Sequence, residues 1–315
     1  SRITNTGNAM NLNERATGGL LALACGDALA NHVEFSPRGS YQVTGMDHRS
    51  GPLPTGQWSD DTGLALCLGE SFIAESGFNP KDQLLRYEGF YERGEGWPGK
   101  YRLAAGNTLA QALKQFKYTD EPFCGSTHPL AAGNGGLMRL LPAVLAAYPE
   151  QDRIRQWARE STRTTHGAPE CLEASECLAL ILASLLRGDD KATALKAAEK
   201  TEWTSAKIRS VAAGDYQNKP DALIKAKGYV VDTLEAALWC FSTTDTLEAA
   251  LLQAANLGDD CDTVAAVTGQ LAGCHHGESA IPEDWLSKLV DKDRIKRLAQ
   301  SLIDLTPDTN ANPEG

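Results

Sequence analysis

The chain has 315 residues, 42% of them apolar and 23% charged, the balance of a globular protein that fits one large domain. A formal net charge of −11 excludes general binding to a phosphate backbone, which needs a lysine- and arginine-rich face, so no nucleic-acid partner is expected; a small anion held by backbone N–H groups stays open. No apolar run is long enough to span a bilayer and no signal peptide is visible, so a cytoplasmic protein without a membrane span is expected.

Residues 1–12 are polar and Asn-rich and read as a disordered lead. Asn13 can cap a helix from Glu14 to about Ala30, with Leu20, Leu21, Leu23 and Ala24 apolar and Gly26-Asp27-Ala28-Leu29 in its C-terminal half. The Gly-, Pro- and Ser-rich loop from His32 to Trp58 has the length of a functional segment. Ser59 and Asp60 cap a helix to about Glu75, and Asn79-Pro80 opens another to about Arg93, which the glycine-rich stretch after Gly94 breaks. Asn107–Lys117 is helical, and a second long loop runs from Tyr118 to Gly135. Leu137–Tyr148 is helical, with Pro142 either kinking it or standing in its first turn. Helical periodicity returns at Asp152–Thr164, Glu170–Arg187 and Lys191–Lys200, then in part of Ala206–Lys227. It continues at Asp232–Phe241, Thr246–Asn256, Asp262–Cys274 and Asp293–Leu305, before a tail at 307–315 that reads as disordered. Alternating β-branched patterns are almost absent, so the sequence predicts an all-α fold of roughly a dozen helices in one domain, residues 13–306. The eight cysteines include no Cys-x-x-Cys pair and mostly fall in apolar helical stretches, as buried free thiols of a reducing compartment do.

Two helix entrances carry unusual acidity: Ser59-Asp60-Asp61-Thr62 and Gly258-Asp259-Asp260-Cys261-Asp262-Thr263. A single acidic cap is ordinary, because it accepts bonds from free N–H groups and complements the helix dipole. Asp259, Asp260 and Asp262 lie within four residues and repel one another, and a hard divalent cation would relieve that repulsion. Mg2+, Mn2+ and Ca2+ take carboxylate and hydroxyl oxygens, and no Cys/His cluster points to zinc. Spacing does not show whether the two turns meet. Gly133-Asn134-Gly135-Gly136 before a helix reads either as an anion cradle or as a plain loop. Singly, His166 is a turn residue, Glu34 a solvated acid, and Trp58 and Tyr229 core aromatics.

Together and in this order, these segments resemble the ADP-ribosylglycohydrolase family over about Gly18 to Gly277. The matching stretches are Gly26-Asp27-Ala28-Leu29 with Glu34-Phe35, the two acidic turns, Gly133 to Arg139, Thr165-His166, and Gly228 to Ala236. The resemblance implies a compact orthogonal helical bundle with a binuclear metal cleft holding two divalent cations, Mg2+ or Mn2+. It places Ser59, Asp60 and Asp61 on one cation, Asp260 and Thr263 on the other, and Asp262 between them. Asp259 stays outside, because the family often has Gly there. Glu34 would sit over the site, and Asp60 or Glu34 would accept a proton from the attacking water. Gly133, Asn134, Gly135, Gly136, Leu137 and Met138 would cradle a diphosphate. His166 would contact ADP-ribose, and Asn107 and Tyr229 would line the distal ribose and leaving group.

The implied reaction is hydrolysis of the bond between ADP-ribose and a protein side chain, with an ADP-ribosylated protein as substrate and ADP-ribose as product. Arginine is the expected acceptor, because Gly228–Ala236 is similar to the arginine-specific branch. The alternatives are another acceptor (serine, a base or a small molecule), or a non-catalytic ADP-ribose binder or toxin-neutralising protein; retention of every implied metal ligand favours an enzyme. Two departures stand out. Ala104 occupies a position where relatives often carry an acid, and Ser59 replaces the commoner Thr.

Overall fold

The computed structural model describes residues 10–47 and 51–305, which form fifteen α-helices and no strand. In order these are α1 (Leu12–Ala30), α2 (Asp60–Glu75), α3 (Pro80–Arg93), α4 (Asn107–Thr119), α5 (Gly135–Met138), α6 (Leu141–Ala147), α7 (Gln151–Arg163) and α8 (Pro169–Leu186). There follow α9 (Lys191–Leu195), α10 (Ala206–Ala212), α11 (Val230–Ser242), α12 (Leu247–Ala255), α13 (Cys261–His276), α14 (Glu283–Lys288) and α15 (Lys292–Asp304). The expected all-α single domain is therefore what forms. The expected lead and tail lie outside the described residues except for positions 10–12.

The axis of the fold is the crossing of α1 and α13. A Cβ added to Gly26, Gly269 or Gly273 would come within 2.2 Å of the carbonyl oxygen of Ala265, Ala22 or Gly18, respectively. Only glycine permits backbones to approach so closely. The three contacts share one antiparallel register, so the C-terminal end of α1 lies beside the N-terminal end of α13. That register carries Asp27 to the entrance where Asp262 stands. Around the pair pack α8, α11, α12 and α15, and the buried apolar side chains form one continuous core.

Local departures from expectation have identifiable causes. Asn11, not Asn13, caps α1: its Oδ1 accepts the Glu14 N–H at 2.8 Å, in the Asn-x-x-Glu spacing of a capping box. The expected helix from Leu137 to Tyr148 is two, because Pro142 lacks the N–H needed to continue the ladder and takes the first turn of α6. Gln270 on α13 bridges the break, accepting the Leu141 N–H at 3.1 Å and donating to the Leu137 carbonyl at 2.9 Å. Lys191–Lys200 closes after Leu195 into turns, and the six-residue α14 is too short to show a period in sequence. All eight cysteines are free, and all but Cys124 are buried. No described helix is long and apolar enough to cross a membrane.

Candidate active site

Asp27 organises the first acidic turn. Its Oδ2 accepts the N–H groups of Ser59 at 2.9 Å and Thr62 at 3.1 Å and the Thr62 hydroxyl at 2.7 Å, while Oδ1 accepts the Ser59 hydroxyl at 2.7 Å. A carboxylate from a different helix thus caps α2, which is why the Ser59 side chain makes no cap bond of its own. Holding the turn in this way orients Asp60 and Asp61. Tyr91 donates to Asp60 Oδ2 at 2.6 Å, and Thr263 donates to Asp61 Oδ2 at 2.9 Å.

The second acidic turn is braced from the loop after α1. Phe35 N–H donates to the Asp259 carbonyl at 2.6 Å, and Asp259 N–H donates to the Ser36 carbonyl at 3.0 Å. Phe35 and Asp259 have φ of 65° and 52°, left-handed values that cost a non-glycine residue ~1–3 kcal/mol and persist only where the surroundings enforce them. Asp259 therefore acts through its backbone. Asn134 Nδ2 donates to Asp260 Oδ2 at 2.7 Å and to Thr233 Oγ1 at 2.9 Å, tying the glycine loop to this turn.

Together these constraints gather acids. Carboxylate oxygens of Asp27, Asp61 and Asp262 lie within 4.8 Å of one another, as do those of Glu34, Asp260 and Asp262. Asp262 belongs to both groups. Its Oδ1 is buried without a hydrogen-bond partner among the described residues. Burial pushes Asp61 and Asp262 well above the usual carboxylate range, and the neighbouring carboxylates push them further. Asp60 rises to about 6, chiefly by burial against the opposing Tyr91 hydrogen bond. Glu34 rises to about 8 through burial and the charges of Asp260, Asp60 and Asp27. An oxygen-only set of acids that raise one another, with one oxygen unpartnered at its centre, fits divalent cations.

A cavity of about 650 Å3 opens over this cluster, lined by Glu34, Asp60, Asp61, Asp260 and Thr263 together with Asn107, Gly133, Asn134, Gly135, Met138 and His166. The His166 ring packs on the glycine loop, where a Cβ at Gly135 would fall 2.3 Å from its Cε1. Arg139 Nη2 donates to Thr165 Oγ1 at 2.6 Å, and Thr165 Oγ1 lies 2.7 Å from His166 Nδ1. A guanidinium only donates, so the Thr165 proton is free to go to Nδ1, and in that tautomer the neutral ring carries its proton on Nε2. Burial and the Arg139 charge keep the ring neutral, lowering it to about 3.

Most residues expected at the site thus line one cleft. Asp262 and Ser59 are buried and are not among its lining residues. Gly136 and Leu137, expected in the cradle, are not among the lining residues: Gly136 abuts Thr162, and Leu137 is fully buried. Tyr229 opens onto a neighbouring cavity of about 500 Å3 that shares Thr108, Gly133 and Gly228 with the first, and its hydroxyl donates to Glu170. Asp27 and Tyr91 were not anticipated as site residues. Asp27 had a signal, an acid inside an apolar helical run; Tyr91 had none.

A protein-family model described as ADP-ribosylglycohydrolase matches residues 8–312. The chain is 37% identical over 300 residues to ADP-ribosylarginine hydrolase Tri1 of Serratia proteamaculans (strain 568), covering 94% of this chain and 80% of that one. It is 31% identical over 309 residues to ADP-ribosyl-[dinitrogen reductase] glycohydrolase of Rhodospirillum rubrum, covering 93% and 97%. A solved structure described as an ADP-ribosylglycohydrolase-related protein complex matches with a TM-score of 0.84 at 39% identity, covering 94% of this chain and 99% of that one. With nearly the whole chain matched and a carboxylate cleft at its centre, this protein is an enzyme that belongs to the ADP-ribosylglycohydrolase family.

Proposed function

We propose that this enzyme hydrolyses the glycosidic bond between ADP-ribose and arginine side chains of modified proteins, and that it does so with two divalent cations, Mg2+ or Mn2+. The observation that carries the reading is the convergence of two acidic turns on one cleft that the glycine loop also lines. The arginine acceptor is supported by the 37% identical relative, which is named for that activity. Asp60, Asp61, Asp260 and Asp262, with the hydroxyls of Ser59 and Thr263, would hold the cations, Asp262 contributing to both. When bound, such cations neutralise the cluster, orient sugar hydroxyls and make water more acidic. Asp27 is left to cap α2, because four donors from Ser59 and Thr62 already occupy its oxygens.

The chain's own groups divide the remaining work. The loop residues Gly133, Asn134, Gly135 and Met138 form the wall against which the diphosphate lies, and His166 offers it a neutral Nε2–H donor. Asn107, at the start of α4, faces the distal ribose. Glu34 or Asp60 takes a proton from the attacking water as its oxygen bonds to C1″ of the ribose. The bond from C1″ to the arginine nitrogen breaks, and that nitrogen leaves with its electron pair and is reprotonated. Positive charge developing on the sugar ring is stabilised by the surrounding carboxylates. One water is consumed, and ADP-ribose and unmodified arginine are released. The buried free thiols suit a reducing compartment, and we assign the reaction to the cytoplasm.

Incubating an ADP-ribosyl-arginine protein with the enzyme in Mg2+ or Mn2+ should release ADP-ribose, and Asp60→Asn should abolish release. Undiminished turnover in excess chelator would remove the cations from this reading. Release from serine-linked but not arginine-linked substrate would remove the arginine acceptor.

A further inference from the structure

Phe35 is the feature of the cleft that ADP-ribose binding leaves without a purpose. Its side chain is 75% exposed, yet it lines the same cavity as Glu34, Asp60 and Asp260. A large apolar residue gains nothing from exposure to water, and its left-handed φ of 65° is rare for a bulky side chain. Several bonds nevertheless hold it there. Its N–H is fixed to the Asp259 carbonyl at 2.6 Å, and Ser36 is fixed to Asp259 in turn. Arg38 clamps the same turn, donating to the Leu257 carbonyl at 2.8 Å and the Ile224 carbonyl at 2.5 Å. The lining residues at 103–106 are Leu, Ala, Ala and Gly, mostly small side chains. The cavity lining therefore combines an exposed aromatic ring on a braced backbone, nearby carboxylates and small side chains that leave space.

We propose that Phe35 is the residue that recognises the acceptor: its ring packs against the guanidinium of the arginine that bears ADP-ribose. A planar cation suits an aromatic face, whereas the neutral ether oxygen of an ADP-ribosylated serine does not. The braced backbone holds position 35 at the cavity before substrate arrives, so the chain loses little in ordering that loop. This inference rests on the arginine hydrolase reading above and names what selects its acceptor.

The test compares wild type with Phe35→Ala, Phe35→Leu, Phe35→Tyr and Phe35→Gly in Mg2+. KM and kcat are measured on ADP-ribosyl-arginine and ADP-ribosyl-serine peptides, and Kd is measured for free ADP-ribose. Loss of the ring should raise KM for the arginine substrate roughly three- to thirty-fold, more than it lowers kcat. The serine substrate and ADP-ribose affinity should shift less than twofold, and Phe35→Tyr should restore the arginine KM. Phe35→Gly removes the positive-φ strain, so it reports on the ring even if Phe35→Ala fails to fold. An unchanged arginine KM in Phe35→Ala or Phe35→Gly, a wild-type KM in Phe35→Leu, or an equal fall in ADP-ribose affinity each overturns the proposal. Absence of arginine turnover by wild type sinks the underlying function as well, whereas wild-type turnover with indifferent variants sinks only the role of Phe35.

Discussion

The Thr263 hydroxyl donates to Asp61 Oδ2 at 2.9 Å, joining the starts of two helices 202 residues apart in sequence. That bond is possible because the glycine contacts between α1 and α13 fix the register that puts Asp27 and Asp262 at the same end. Asp27 then reaches sideways to cap α2, which sets Asp61 within 4.8 Å of Asp262. The site is therefore a direct consequence of backbone packing in the core, and its acids are held together at an electrostatic cost that the fold alone does not relieve.

That cost makes a first prediction. Asp262→Asn replaces an acid whose ionisation burial and neighbouring carboxylates oppose, and keeps nearly the same shape. In chelator the variant should be more stable than wild type by roughly 1–3 kcal/mol in denaturant unfolding, the scale of an uncompensated buried polar group. It should also lose turnover and lose any stabilisation by Mg2+ or Mn2+. A variant less stable than wild type in chelator would mean that Asp262 has a favourable partner in the folded chain.

A second prediction concerns pH. The folded chain keeps protons on Glu34, Asp60, Asp61 and Asp262 at pH values where the unfolded chain has released them. Wherever the folded state holds more protons, stability falls as pH rises. The window opens near the ordinary carboxylate values and runs through about 6 for Asp60 and about 8 for Glu34. The thermal midpoint in chelator should therefore decline between about pH 5 and pH 8. Saturating cation should raise it more at the upper end than at the lower, because the ions bind the deprotonated acids. Scanning calorimetry at both pH values, with and without chelator, measures the difference, and an equal cation effect at both would contradict it.

How much of this was legible in sequence follows from the physics of each part. The acidic turns could be read because three aspartates in four residues are difficult to explain as caps. Their meeting was implied by the family resemblance but not by the residues alone, because it depends on which backbone of α13 each glycine of α1 meets, and the reverse, and periodicity carries no pairing information. Pro142 marked the break between α5 and α6, but Gln270, which satisfies the broken backbone, lies more than a hundred residues away. Tyr91 resembled any aromatic on an amphipathic helix until its hydroxyl was seen on Asp60. Gly136 and Leu137 belonged to the right motif but turn inward, because a four-residue helix shows only part of its circumference to the cleft.

Asp27 gives a third prediction, in which stability and activity fall together. Asp27→Asn replaces an acceptor by an amide whose N–H2 would confront the donors of Ser59 and Thr62. Unfolding should become easier by roughly 1–3 kcal/mol, through the lost cap and the donors left without an acceptor, a loss larger than the relief of the burial that raises the Asp27 carboxyl. Turnover should drop as well, because Asp60 and Asp61 lose the turn that aims them. Asp262→Asn and Asp27→Asn thus change stability in opposite directions although their carboxylates are neighbours, and chemical denaturation in chelator distinguishes a helix cap from an acid without a hydrogen-bond partner among the described residues.

The glycine loop supports a fourth. A Cβ at Gly135 would lie 2.3 Å from His166 Cε1 and 2.7 Å from Nε2, so the ring must move. A Cβ at Gly133 would lie 3.5 Å from the same ring, an ordinary contact. Neither position has a positive φ, so backbone strain does not separate the two substitutions. Gly135→Ala should weaken ADP-ribose binding at least ~10-fold, about 1.4 kcal/mol, because the Nε2–H donor set by Arg139 and Thr165 is displaced from the wall. Gly133→Ala should stay within a few-fold of wild type. Isothermal titration with ADP-ribose decides between them: if the two alanine variants bind equally well, the contact of His166 with the ligand is unsupported, and the ring serves only to pack α5 against the turn before α8.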